Sequence, residues 1–199
     1  MSEGTSVVLF GHSFPARLAR YIRNQQKQVS DFLGLGPEYS VVIDGHPGLT
    51  YARAIGSFNH YTQRMKRVAV DILLIDLGTN DLCDMLTTPG EVVKRATRFL
   101  NLLTENGISP KHVVFLSVIQ RSVITRRGQV AVSTFNHRVR RFNSILSHAL
   151  SDYPNASMYA QRRINHPKFL VDGCHLTPEG MVNYGRNLKG AVRKIESQK

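Results

Sequence analysis

A carboxylate and an imidazole stand three residues apart in the run VDGCHLTP, as Asp172 and His175, just ahead of an expected helix. At that spacing a tight turn can bring the carboxylate to Nδ1 of the ring, which fixes the tautomer and leaves Nε2 free to take a proton. A lone histidine near a helix start is more often structural, so the pair gains meaning only beside a group with a proton to give. Ser13, in GHSF, is such a group. The preceding Gly11 permits a sharp turn, and a serine opening the next helix would expose Oγ and aim its N–H outward. Serine at a helix N-terminus is also a common cap. Two other positions could donate hydrogen bonds to a ligand: Gly48 in DGHPGLT, through a backbone N–H with no side chain in the way, and Asn80 in LGTND, through a neutral amide. Each also reads as an ordinary loop or turn residue.

These residues need elements that carry them to one place. Short β-branched runs at 6–10, 39–44, 72–77, 112–119 and 156–160 alternate with segments of helical period, the pattern of a parallel sheet flanked by helices. VVLF, VVI and ILLI are apolar without alternation, which suits strands covered on both faces. Helices are expected over 15–28, over 89–106 with Gly107 ending it, over 130–150, and from Pro178 toward 195 with Thr177 as N-cap. Arg138, Arg140 and Arg141, beside the apolar stripe of the third helix, read as a solvated face. The expectation is an α/β chain: a three-layer α/β/α sandwich of about five parallel strands, one domain over 1–199. In such sheets ligands gather beyond the carboxyl ends of the strands, and Ser13, Gly48 and Asn80 each follow a strand.

Composition narrows the class. Lys and Arg number 26 against 14 Asp and Glu, a net charge of +12 that would draw polyanions weakly and without sequence preference, or would serve only solubility. The two cysteines, Cys83 and Cys174, form no CxxC pair, so neither a disulfide framework nor a structural zinc site is indicated, and reduced thiols are expected. No phosphate-cradling glycine loop or metal cluster is visible, so no cofactor is expected. No apolar run is long enough to cross a bilayer, and VVLF lacks the basic leader and cleavage site of a signal peptide. The location expected from this is intracellular, in the cytoplasm.

Taken in order, GHS at 11–13, the glycine of GHPGLT at 48, GTND at 78–81 and DGCHLTPEG at 172–180 make the chain resemble the SGNH (GDSL-like) hydrolase superfamily over nearly its whole length. The resemblance implies the flavodoxin-like SGNH-hydrolase fold and an esterase or deacetylase acting on a small-molecule or acylated substrate. It implies Ser13 as nucleophile, His175 as base and Asp172 as its orienter, with the Ser13 N–H, the Gly48 N–H and the Asn80 side chain as oxyanion donors. The residue types agree with this: a hydroxyl needs a base, the base an orienter, and a tetrahedral oxyanion convergent donors. One departure is His12, where the first block usually reads GDS. As a second imidazole beside Ser13 it could alter local electrostatics, while a side chain lying in the loop is the plainer expectation. The GHSF form is similar to SGNH-like domains encoded in retroelements, which would suit the basic charge. The competing reading is a binding module of the same fold that holds an acyl group or a polyanion such as RNA. Arg121, after the fourth strand, could meet a substrate anion or stand exposed in a loop. Cys83 and Cys174 should both lie near the rim of the site.

Overall fold

The structure, a computed structural model, describes residues 4–122, 131–164 and 166–197. The apolar runs become five strands: β1 (Thr5–Gly11), β2 (Tyr39–Gly45), β3 (Ile72–Asp76), β4 (His112–Leu116) and β5 (Ala156–Tyr159). They form one sheet in the order β2-β1-β3-β4-β5, every pair parallel. The register sets Gly11 beside both Gly45 and Asp76, so β1, β2 and β3 end level and their following loops leave from one rim.

Among the described residues eight α-helices connect or follow the strands: α1 (Ser13–Asn24), α2 (Val29–Leu33), α3 (Tyr51–Gly56), α4 (Phe58–Tyr61), α5 (Gln63–Arg67), α6 (Pro89–Glu105), α7 (Val132–Ala149) and α8 (Pro178–Glu196). Strand side chains alternate between two buried layers. Val8, Phe10, Leu73, Ile75, Val113 and Phe115 meet Phe99 of α6 and Phe135 and Phe142 of α7 on one face. Val7, Leu9, Ile72, Leu74, Val114 and Leu116 meet Leu18 of α1 and Tyr184 and Leu188 of α8 on the other. Each such side chain contributes about 1.5–3 kcal/mol by leaving water. This is the three-layer α/β sandwich expected.

Differences from expectation have local causes. α1 starts at Ser13, two residues early, because the His12 side chain caps it by accepting from the Phe14 N–H. β4 stops at Leu116 and not at 119. Past Ser117, whose N–H still reaches the Tyr159 carbonyl, the Asn143 side chain takes both backbone groups of Val118, at 3.0 and 2.9 Å, in place of a neighbouring strand. The third expected helix is α7 followed by a 3-10 turn at Leu150–Asp152, and its expected first residue, 130, lies outside the described residues. α2 to α5 were not foreseen.

The arginine cluster needs correction. Arg140 and Arg141 are exposed, but Arg138 is buried and donates to the carbonyls of Leu82, Asp84 and Thr87, tying α7 to the loop after β3. Three peptide oxygens satisfy the guanidinium, which is why it tolerates burial. Among the described residues no helix is long and apolar enough to cross a membrane.

Candidate active site

Beyond the carboxyl ends of β1, β2 and β3 lies a pocket of about 520 Å³. Ser13, Gly48, Asn80 and His175 all line it, with Cys83, Cys174 and Arg121. Four loops far apart in sequence thus converge on one cavity, as the crevice rule for open parallel sheets requires.

Ser13 is the first residue of α1, at the end of β1. Gly11 cannot be replaced by a larger residue here, because a Cβ would overlap the Asp76 carbonyl of the adjacent strand. Among the described residues the Ser13 N–H has no acceptor, as befits the first turn of a helix. In the loop before α8, Asp172 Oδ2 lies 2.6 Å from His175 Nδ1, while its Oδ1 accepts from the N–H groups of Cys174 and His175 at 3.0 and 2.6 Å. Desolvation pushes this carboxyl up, but the His175 ring and the two N–H groups outweigh it and hold it down at about 2. The carboxylate therefore accepts a proton from Nδ1, and a neutral ring in this tautomer carries its lone pair on Nε2.

The Ser13 hydroxyl makes its hydrogen bond elsewhere in this structure. Oγ lies 3.2 Å from Nδ1 of His12, not in bonding contact with His175. His12 is no loose loop residue: it is 1% exposed, and it caps α1. Since Nδ1 accepts from the Phe14 N–H, the ring proton sits on Nε2, which lies 3.3 Å from Asp76 Oδ1 in an off-line electrostatic contact. Asp76 Oδ2 in turn accepts from the Tyr184 hydroxyl at 2.5 Å. Burial first, then the Asp76 charge, push the Tyr184 phenol well above its ordinary value, so it stays a donor. Reading the sequence missed this buried chain. The signal was the aspartate closing the otherwise apolar ILLID run.

Gly48 adopts φ +75, a region that favours glycine, and among the described residues its N–H has no acceptor. Asn80 spends one amide hydrogen on the Leu49 carbonyl at 2.9 Å and keeps a second. The neighbouring Asp81, also missed as a functional position, holds these two loops together: both its oxygens lie 3.1 Å from the Tyr51 N–H at the start of α3. Arg95 approaches it at 4.0 Å. Burial raises the Asp81 carboxyl to about 6 against the pull of those donors. The pocket thus sets a hydroxyl, a carboxylate-paired imidazole and unspent N–H donors around one space, the parts needed to attack a carbonyl and hold the resulting charge. Among the described residues no cluster of histidines, cysteines and carboxylates could hold a metal.

A parallel sandwich with this pocket at its strand ends is the fold of the SGNH-type hydrolases that act on ester bonds. The chain belongs to the GDSL-like lipase/acylhydrolase family, whose profile matches residues 8–186. Among solved structures it is similar to a carbohydrate acetylesterase from Sinorhizobium meliloti, Est24, at 20% identity and TM-score 0.73, over 96% of this chain and 100% of that one. It is similar to an aryl esterase from M. smegmatis at 17% identity and TM-score 0.72, over 96% and 99%. A third likeness is to a putative arylesterase from Agrobacterium tumefaciens, at 18% identity and TM-score 0.66, over 96% and 99%. No curated protein matches it in sequence.

Proposed function

We propose that the protein hydrolyses carboxylic esters, as an esterase or deacetylase, with Ser13 as nucleophile, His175 as base and Asp172 as the group that orients it. The observation that carries this is that His175, paired with Asp172, lines the same pocket as Ser13. The reaction requires the serine hydroxyl to turn from His12 to His175. Oγ then bonds the ester carbon as its proton passes to Nε2, and the carbonyl oxygen becomes an anion held by the N–H groups of Ser13 and Gly48 and by the Asn80 amide. Collapse breaks the bond to the leaving alcohol, which takes the proton from His175. Water repeats the sequence on the acyl-serine and frees the acid. His12 is less suited to the base's role, because it is 1% exposed and its Nδ1 already accepts from the Phe14 N–H, capping α1. It holds the resting hydroxyl.

A fluorophosphonate label located by mass spectrometry, run beside turnover of 4-nitrophenyl acetate, tests the assignment. Label on Ser13, with turnover lost in Ser13→Ala, supports it; binding of acyl ligands without turnover or label would make the protein a binding module instead. The +12 charge supports a separate, weak association with polyanions by counterion release. Affinity for random RNA that ignores salt would overturn that part.

A further inference from the structure

The pocket wall carries an excess of charge that ester cleavage does not need. Arg17, Arg20 and Arg121 line it, and among the described residues no aspartate or glutamate does. Among the described residues none of the three arginines is ion-paired. Arg17 and Arg20 follow Ser13 by four and seven positions on α1, so they share its face and form a positive row leading away from the nucleophile. Both are exposed, and alone they would be surface charges.

Arg121 is different. It is half-buried, and its backbone N–H and carbonyl are both taken by the Asn136 side chain, at 2.8 and 2.9 Å. Its guanidinium lies 4.3 Å over the ring of Phe135, which is fully buried, and Nη1 donates to Cys83 Sγ at 3.2 Å. The thiol has its own outlet, donating to the Thr79 carbonyl. Stacking and one weak acceptor fix the plane of the guanidinium without neutralising it, and several of its N–H groups remain for a ligand. A cation held in position beside a nucleophile, with its charge unspent, is prepared for an oxyanion.

Building on the esterase reading above, we infer that the preferred substrate is an ester that also carries an anionic group, a carboxylate or a phosphate, which Arg121 binds with Arg17 and Arg20 adding attraction. The anion would anchor the substrate while the ester carbonyl meets Ser13.

The test has two parts. In turnover, kcat/KM is measured for mono(4-nitrophenyl) glutarate against 4-nitrophenyl pentanoate, and for 4-acetoxyphenyl phosphate against 4-acetoxyanisole. The wild type should favour an anionic member about tenfold or more, and Arg121→Gln should bring that ratio close to one. The carboxylate and phosphate arms show which anion fits. In binding, Ser13→Ala protein is titrated with phenyl phosphate, benzoate and neutral benzamide, with and without Arg121→Gln. Tighter binding of an anion, lost with Arg121, supports the inference even if no ester is turned over, an outcome that would sink only the esterase reading. Equal treatment of charged and neutral partners, or a preference that survives Arg121→Gln, overturns it.

Discussion

Asp81 is expected to cost the protein stability at neutral pH, and replacing it with asparagine should show this. Its carboxyl is 2% exposed and is raised from 3.8 to about 6, mainly by burial, so the charged form is disfavoured in the folded state. About two pKa units correspond to about 3 kcal/mol between the two protonation states. The sign follows from proton binding: between about pH 4 and 6 the folded state holds a proton that the unfolded chain has released, so this group adds stability as pH falls through 6 and no more below about 4. Asp81→Asn keeps an oxygen for the Tyr51 N–H and never carries the charge. At about pH 8 the variant should be more stable by about 1–3 kcal/mol, or roughly 2–10 °C in Tm for a chain of this size. At about pH 4 the two proteins should coincide. Urea unfolding followed by circular dichroism across that range measures the gap. A variant that is less stable at pH 8, or a gap that does not close on acidification, would refute the reasoning.

On the proposed mechanism Asn80→Ala should lower kcat for a nitrophenyl ester about 10²-fold with a smaller change in KM, since the amide hydrogen left after bonding Leu49 would be needed most when the oxyanion forms. In Asp172→Asn the amide oxygen can keep the N–H groups of Cys174 and His175, but its NH2 would face Nδ1 and drive the ring proton to Nε2, so kcat/KM should fall about 10³-fold or more while the melting temperature moves little. Because Asp172 is held at about 2, any acid limb in the wild-type kcat/KM profile above about pH 3 should not be its titration. His12→Asp would restore the usual residue of the first block but set a second carboxylate against Asp76. Thermal melts should show a loss of about 3 kcal/mol at neutral pH that shrinks in acid, when one of the two takes a proton.

The sheet was legible because a strand covered on both faces must be apolar throughout, and VVLF, VVI and ILLI are. The last helix was legible through its Thr177 cap and Pro178. The short helices α2 to α5 were not, since one or two turns give no window in which a helical period can show. Of the site, the positions of Ser13, Gly48, Asn80 and His175 around one pocket could be foreseen from their places after strands and before α8. What holds them could not. Asp81 reaching Tyr51, His12 facing Asp76, and Arg138 bonding three carbonyls are contacts between residues far apart or bent together by a turn, and residue type alone points such side chains toward water.

The two halves of the site rest on unequal footings. Ser13 follows directly on β1, a strand paired on both sides, whereas Asp172 and His175 sit in a stretch between β5 and α8 with little regular structure. A 3-10 turn at Pro167–Phe169, a single bridge between Leu170 and Leu176, and amide clips from Asn187 to Arg162 and from Asn183 to Arg163 secure it. Such a segment can open as its own cooperative unit, at a lower free energy than the sheet. The enzyme would then be disarmed before it is unfolded. In rising urea, ester turnover should disappear while the helical signal persists, and proteolytic nicking should begin in this stretch, leaving a core that keeps Ser13 in place and has lost His175.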